Sequence, residues 1–98
     1  MVSFDPKRAI LHVTGDEDAS TVSRRRPPLS TALRATRDVI VDLSELRFAD
    51  STLMLDLAVL AQRLRKEGAQ LLMCAPQPQV RFLIERMGLD RQPAVQLV

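Results

Sequence analysis

The chain has few of the residues on which several kinds of site depend. It contains no Trp or Tyr and three Phe, so it offers little aromatic surface on which bases could stack. Its three glycines stand alone, and none belongs to a glycine-rich loop that holds phosphates. The single histidine, His12, lies inside a predicted strand, and no nucleophile motif accompanies it. We therefore predict that the protein is not an enzyme and uses no cofactor.

Cysteine and long apolar runs are scarce as well. One cysteine, Cys74, excludes an internal disulfide and is typical of a reducing cytosol, so a cytoplasmic location is expected. No apolar run approaches the ~20 residues that span a bilayer, and no signal-peptide pattern opens the chain, so no membrane association is predicted. Asp16, Glu17 and Asp18 lack calcium-loop spacing, which favours a solvated acidic turn over a metal site.

Charge of one sign is nearly balanced by the other. The formal net charge is +2, which is too small to indicate nucleic-acid binding by itself. The run Arg24-Arg25-Arg26 beside Pro27 and Pro28 is typical of a solvent-facing bend. We therefore predict no direct contact with nucleic acid. The 98 residues, 46% of them hydrophobic, suffice for one globular domain with a single core.

Apolar patterning predicts where the strands and helices lie. Short apolar runs at 9–13, 39–43, 70–75 and 95–98 indicate strands, and Phe4 is assigned to a further edge strand. Helical spacing continues from Ser51 to the cations before Gly68, and a second amphipathic stretch covers 80–87. Residues 21–36 are expected to form a short or broken helix, because prolines interrupt it. Residues 44–49 are expected to connect two elements without forming a strand.

This alternation of strands and helices predicts the fold class. It indicates an α/β fold with right-handed crossovers between parallel strands. We expect a single domain with a mixed, mainly parallel sheet of four to five strands and helices packed on it. No internal repeat and no second domain is found in residues 1–98.

The turn Asp50-Ser51-Thr52 is the most informative motif. It places hydroxyl groups at the start of a helix, where unpaired backbone N–H groups and the helix dipole favour negative charge. One interpretation is a helix cap with no other role, and the other is a site for a phosphate. Leu53-Met54-Leu55 covers more than half of the helix circumference. Either neighbouring elements cover this turn, or it leaves an apolar patch for a partner.

The residues around this turn resemble a known family. Segment 39–51, VIVDLSELRFADS, is similar to the strand, crossover and Asp-Ser turn of the STAS domain, the anti-sigma factor antagonist module. Val13-Thr14-Gly15 with Asp18 resembles an earlier loop of that family, and 80–89 resembles its third helix. The resemblance covers nearly the whole chain and implies a STAS fold over residues 1–98.

The resemblance also implies a regulatory mechanism. The phosphoacceptor would be Ser51, with Thr52 as the second candidate. An anti-sigma factor that is also a serine kinase would bind the unphosphorylated form and use ATP to phosphorylate it, which weakens the complex. A phosphatase would reset the switch. The residues expected to contact the partner are Asp18, Asp50, Ser51, Thr52, Leu53, Met54 and Leu55.

Some features of the chain depart from that family and keep other functions open. Leu53-Met54-Leu55 stands where the family usually has Gly-Leu-Gly, and residues 24–28 are inserted in the first helix. One alternative is a scaffold that is never phosphorylated and binds constitutively through these apolar residues. Another is a module that binds a nucleotide or a lipid in a pocket near Asp18 and Asp50.

Overall fold

The computed structural model describes residues 1–98 and contains seven strands and three helices. The strands are β1 (Val2–Asp5), β2 (Ile10–Val13), β3 (Gly15–Glu17), β4 (Val39–Asp42), β5 (Leu46–Ala49), β6 (Leu71–Cys74) and β7 (Val95–Leu97). The helices are α1 (Val22–Ala32), α2 (Ser51–Lys66) and α3 (Pro78–Met87). Two 3-10 turns, Ala19–Thr21 and Leu89–Arg91, precede α1 and follow α3.

Five strands form the main sheet, in the order β1-β2-β4-β6-β7. The first pair is antiparallel and the other three pairs are parallel, which confirms the predicted mixed, mainly parallel sheet. Leu11, Val41 and Met73 face one another in register across its centre and are fully buried. Buried and half-buried positions alternate along these strands, and the buried side chains form one continuous core with those of the helices.

Helix α2 covers the sheet with the stripe that the sequence predicted. Leu57, Leu60 and Leu64 are completely buried, while Arg63, Arg65 and Lys66 occupy the last turn near the negative end of the helix dipole. No helix of the molecule is both long enough and apolar enough to span a bilayer.

Helix α1 contradicts the expectation of a break. It runs for 11 residues with Pro27 and Pro28 inside it. Each proline lacks the N–H that would bond to the carbonyl four residues earlier, on Ser23 and Arg24. Both of these residues are exposed, so water can hydrate their carbonyl groups. The helix therefore continues because its two missing hydrogen bonds lie on the solvent side.

A second, small sheet was not predicted. Strands β3 and β5 pair in parallel, so residues expected to be an acidic turn and a plain connection are both extended. Asp16 is exposed, but only 2% of Glu17 is accessible, so the prediction of a solvated turn is wrong for Glu17. The backbone N–H of Asp50 donates to the carbonyl of Glu17 at 3.2 Å. This ladder therefore fixes the position of the residue that precedes α2.

Candidate functional site

The start of α2 is capped by Asp50. Its backbone is extended, and its side chain accepts a hydrogen bond from the N–H of Thr52 at 2.9 Å. The second carboxylate oxygen accepts from the N–H of Ala19 at 3.0 Å. One side chain thus joins the helix start to the 3-10 turn before α1.

Asp18 caps that neighbouring turn. Its carboxylate accepts from the N–H of Ser20 at 2.9 Å and from the Ser20 hydroxyl at 2.5 Å. The residue that follows it, Ala19, is the one bonded to Asp50. The structure therefore brings Asp18, Asp50, Ser51 and Thr52 into one region.

The two hydroxyl groups of the turn have different environments. Ser51 is exposed, and its hydroxyl makes no hydrogen bond within the molecule. The Thr52 hydroxyl donates to Asp50 at 2.5 Å and accepts from Nη2 of Arg25 at 2.9 Å. Only Ser51 therefore presents a free hydroxyl to an approaching molecule.

Arg25 is the functional residue that sequence reasoning missed. It was expected to face solvent with Arg24 and Arg26, yet only 1% of it is accessible, whereas those two neighbours are exposed. Its Nε donates to Asp56 at 2.7 Å and its Nη1 to Glu17 at 3.2 Å. The prediction was wrong because two carboxylates on other elements, the buried Glu17 and the half-buried Asp56, neutralise this one guanidinium.

A local signal for this burial existed. Arg25, Leu29 and Ala32 recur at the spacing of one helix face, and all three are buried. The prolines between them concealed the periodicity, because they argued against a continuous helix.

The electrostatics keep Asp50 ionised. The hydrogen bond from the Thr52 hydroxyl lowers the pKa of Asp50 below its usual value, with help from the backbone N–H groups of Thr52 and Ala19 and the charge of Arg25. Partial burial opposes this shift. A fixed negative charge therefore stands directly beside Ser51.

The apolar residues after the turn differ in how far they are exposed. Leu53 and Met54 are 0% and 2% exposed, so the prediction that they contact a partner is wrong. Neighbouring elements cover that side of the first turn and place both side chains in the core. Leu55 is 60% exposed and Val59 is 54% exposed. With Ser51 these residues recur every four positions and lie along one side of α2, which we call the α2 face.

The ligand-binding alternative requires a pocket near Asp18 and Asp50, and a cavity of about 370 Å³ lies next to Asp18, lined by Glu17, Thr21 and Arg25. None of the cavities in the molecule is lined by Asp18 or Asp50. No cluster of three His, Cys, Asp or Glu side chains with the geometry of a metal site is found either.

His12, Asp42 and Cys74 are neighbours in register across β2, β4 and β6. Nδ1 of His12 lies 3.4 Å from the Asp42 carboxylate. Asp42 stands between the other two, so the imidazole and the thiol are two strand spacings apart, about 10 Å. Burial, and secondarily the charge of Asp42, raises the pKa of Cys74. This row therefore does not form a pair of nucleophile and base.

Comparison with models of known protein families identifies one family. The family model described as STAS domain matches residues 2–97. No curated protein sequence matches the chain significantly.

Solved structures give the same fold at low identity. The anti-sigma factor antagonist SpoIIAA in its unphosphorylated form is 18% identical with a TM-score of 0.67, covering 91% of this chain and 76% of that one. A STAS domain protein from Planctomyces limnophilus is 13% identical with a TM-score of 0.75, covering 99% and 87%. A putative anti-sigma factor antagonist from Thermotoga maritima is 11% identical with a TM-score of 0.71, covering 99% and 83%. At such identities the likeness shows the shared fold.

Proposed function

This chain belongs to the STAS domain family, and from that premise we propose that it is an anti-sigma factor antagonist switched at Ser51. In this proposal the unphosphorylated form binds an anti-sigma factor that is also a serine kinase. Phosphorylation of Ser51 releases the partner, and a phosphatase restores binding. The observation that carries the proposal is the free, exposed Ser51 hydroxyl at the start of α2, beside a Thr52 hydroxyl that is already bonded.

A phosphate on Ser51 should change the fold little. Phosphoserine carries roughly −1.5 to −2 charges at neutral pH, and a helix N-terminus stabilises such a charge by ~0.3–1 kcal/mol at exposed sites. The ionised Asp50 carboxylate offsets part of this gain by repulsion. These two opposing effects are small, so the domain remains folded in both states.

The same phosphate should change partner binding strongly. The α2 face combines Ser51 with the exposed side chains of Leu55 and Val59, so a partner that covers it removes Ser51 from water. Burying an unpaired phosphate there costs several kcal/mol, and ~1.4 kcal/mol already lowers affinity tenfold. Arg25 offers little compensation, because it is buried and bonded to Asp56, Glu17 and Thr52.

The test compares Ser51→Ala and Ser51→Asp with the wild type. Each variant, immobilised in equal amounts, captures proteins from an extract, and mass spectrometry quantifies the bound anti-sigma factor. We expect wild type and Ser51→Ala to retain the partner and Ser51→Asp to lose at least tenfold. Ser30→Asp adds the same charge at an exposed position near the C-terminal end of α1 and serves as the control. Equal capture by Ser51→Ala and Ser51→Asp would remove Ser51 from the mechanism.

A second function is favoured by Leu55. This side chain is 60% exposed one turn after Ser51, where it can make a constitutive contact without any phosphate. A constitutive scaffold would lose its partner in Leu55→Ser and keep it in Ser51→Asp. The switch requires that incubation with the captured kinase and ATP yields a phosphopeptide modified at Ser51. Absence of that phosphopeptide, together with binding by Ser51→Asp, would favour the scaffold.

A further inference from the structure

A cavity of about 300 Å³ lies at the end of the sheet opposite Ser51. It opens between the β1–β2 turn and the segment that joins α1 to β4. These two segments lead into the amino ends of β2 and β4, so the cavity lies at that end of the parallel strands. Phe4 and Pro6 supply apolar lining on one side. Thr31 and Arg34 contribute a hydroxyl and a guanidinium from the other side. Its size is at the lower end of the range for small-molecule sites.

The cations at this cavity have no anionic partner in the protein. Arg34 and Arg37, the two cations in the lining, form no ion pair, and neither do Lys7 and Arg8 in the adjoining β1–β2 turn, although Asp5 and Asp38 are close to them in sequence. These carboxylates accept backbone hydrogen bonds instead. Asp5 accepts from the N–H groups of Lys7 and Arg8, at 3.0 and 3.3 Å, and Asp38 accepts from the N–H of Gln70 at 2.9 Å.

The two arginines that line the cavity are available to a ligand in different ways. The side chain of Arg34 is exposed and makes no hydrogen bond. Arg37 is held at the β1–β2 turn, because its Nη2 donates to the carbonyl groups of Pro6 and Lys7. Its Nη1 and Nε have no partner in the protein. Both bidentate edges of a guanidinium include Nη2, which these carbonyl groups occupy in Arg37, so Arg37 keeps only single donors. A fixed guanidinium with single donors and a free guanidinium fork therefore stand at the same opening, without a carboxylate in the lining.

We propose that this cavity binds a small organic phosphate. The free guanidinium of Arg34 matches the geometry of phosphate oxygens and can bind them in a bidentate way, and Arg37 adds a single charged donor. The Thr31 hydroxyl is already used, because it donates to the carbonyl of Pro27 at 3.3 Å. The apolar lining from Phe4 and Pro6 contacts the carbon skeleton of the ligand. Because the cavity lies at the opposite end of the sheet from Ser51, this site does not depend on the proposed switch.

The probe is phenyl phosphate, which combines a doubly ionisable phosphate with a flat apolar ring. Titration of the ¹⁵N-labelled chain, followed by NMR, should give saturable shifts confined to backbone N–H groups of residues 4–9 and 31–37. Inorganic phosphate should bind more weakly, since it cannot use the apolar lining. Phenol should give no saturable shift, since it carries no charge for the arginines.

Arg34→Gln is the decisive variant, because Arg34 holds no other part of the protein. It should weaken phenyl phosphate binding about tenfold, the loss of one charge-assisted contact. Arg63→Gln removes an exposed, unpaired cation in the last turn of α2 and should leave the affinity unchanged. Thermal melts establish that both variants remain folded. Shifts spread over all basic residues, or equal weakening in the two variants, would overturn the proposal.

Discussion

At the scale of single residues, hydrogen bonding separates two adjacent hydroxyl groups. Thr52 is bonded to Arg25 and Asp50, whereas Ser51 has no partner in the protein. The two residues should therefore contribute differently to stability, although they are neighbours in the first turn of the same helix.

We predict that Thr52→Val lowers the free energy of unfolding by about 1–3 kcal/mol, because it leaves polar groups of Arg25 and Asp50 without their partner. Ser51→Ala should change it by less than about 0.5 kcal/mol, as expected for an exposed side chain without contacts. Urea denaturation followed by circular dichroism measures both values. Equal effects of the two substitutions would contradict the hydrogen-bond arrangement.

At the scale of elements, one side chain connects three of them. Arg25 lies on α1, Glu17 on β3, and Thr52 and Asp56 on α2. The α1 helix therefore joins the site through a buried ion pair, in addition to its apolar contacts. Replacing Arg25 removes one cationic partner of Glu17 and leaves the other, the N-terminal ammonium of Met1.

We predict that Arg25→Met destabilises the protein by about 1.5–3 kcal/mol, because Glu17, Thr52 and Asp56 lose a shared charged donor. The loss is limited because the N-terminal ammonium, 2.6 Å from Glu17, still pairs with that buried carboxylate. Adding Glu17→Gln to Arg25→Met should restore part of the loss. Arg24→Met replaces an exposed neighbour and should have little effect. Thermal and urea unfolding of the wild type and the three variants measures these differences in stability. A double variant no more stable than Arg25→Met would contradict the explanation.

The elements that sequence reasoning predicted are those with a local apolar pattern. Strands β2, β4 and β6 and helices α2 and α3 each carry a periodicity that depends only on nearby residues. Strands β3 and β5 were missed because they are short and their pairing joins distant segments with polar residues such as Asp16 and Arg47. Arg25 and Asp56 are 31 residues apart, so no local pattern reports their contact.

The site was predicted only where its residues are consecutive. The motif of Asp50, Ser51 and Thr52 indicated a capped helix start, and the structure confirms that cap. Which side chains of Leu53, Met54 and Leu55 face the core depends on the packing of α2 against the rest of the molecule. That packing buries Leu53 and Met54, so neither side chain is available to contact a partner.

At the scale of the whole molecule, the parallel strands place two different surfaces at opposite ends. Asp42 is the last residue of β4, and Asp18 and Asp50 follow the small strands β3 and β5, which come after the carboxyl ends of β2 and β4. The connections before the amino ends carry the unpaired cations of the β1–β2 turn and of residues 34–37. At the acidic end hydrogen bonds lower the pKa values of Asp42 and Asp50, and this should affect stability in acid.

We predict that acid weakens the native state partly through Asp42 and Asp50. The backbone hydrogen bond from Ser44 is the main cause that lowers the pKa of Asp42, and the Thr52 hydroxyl does the same for Asp50. A pKa lower in the folded state than the ordinary value, about 3.9, stabilises the protein above that value. This contribution is lost as the pH falls through the folded pKa.

The test measures the free energy of unfolding from pH 7 to pH 2 for the wild type and for Asp42→Asn combined with Asp50→Asn. The variant should be less stable than the wild type at pH 7, and the difference should shrink as both carboxylates become protonated. A difference that stays constant down to pH 2 would show that these two carboxylates do not contribute to acid sensitivity.

The bonded hydroxyl of Thr52 has a chemical consequence for any enzyme that transfers a phosphoryl group to this turn. The Thr52 hydroxyl is half-buried, directs its proton to the Asp50 carboxylate and has one lone pair engaged by Arg25, so its oxygen is less accessible to an incoming phosphorus than that of Ser51. Regioselectivity between two adjacent alcohols would thus be a property of the acceptor protein. A transferase with a permissive active site would still give a single product.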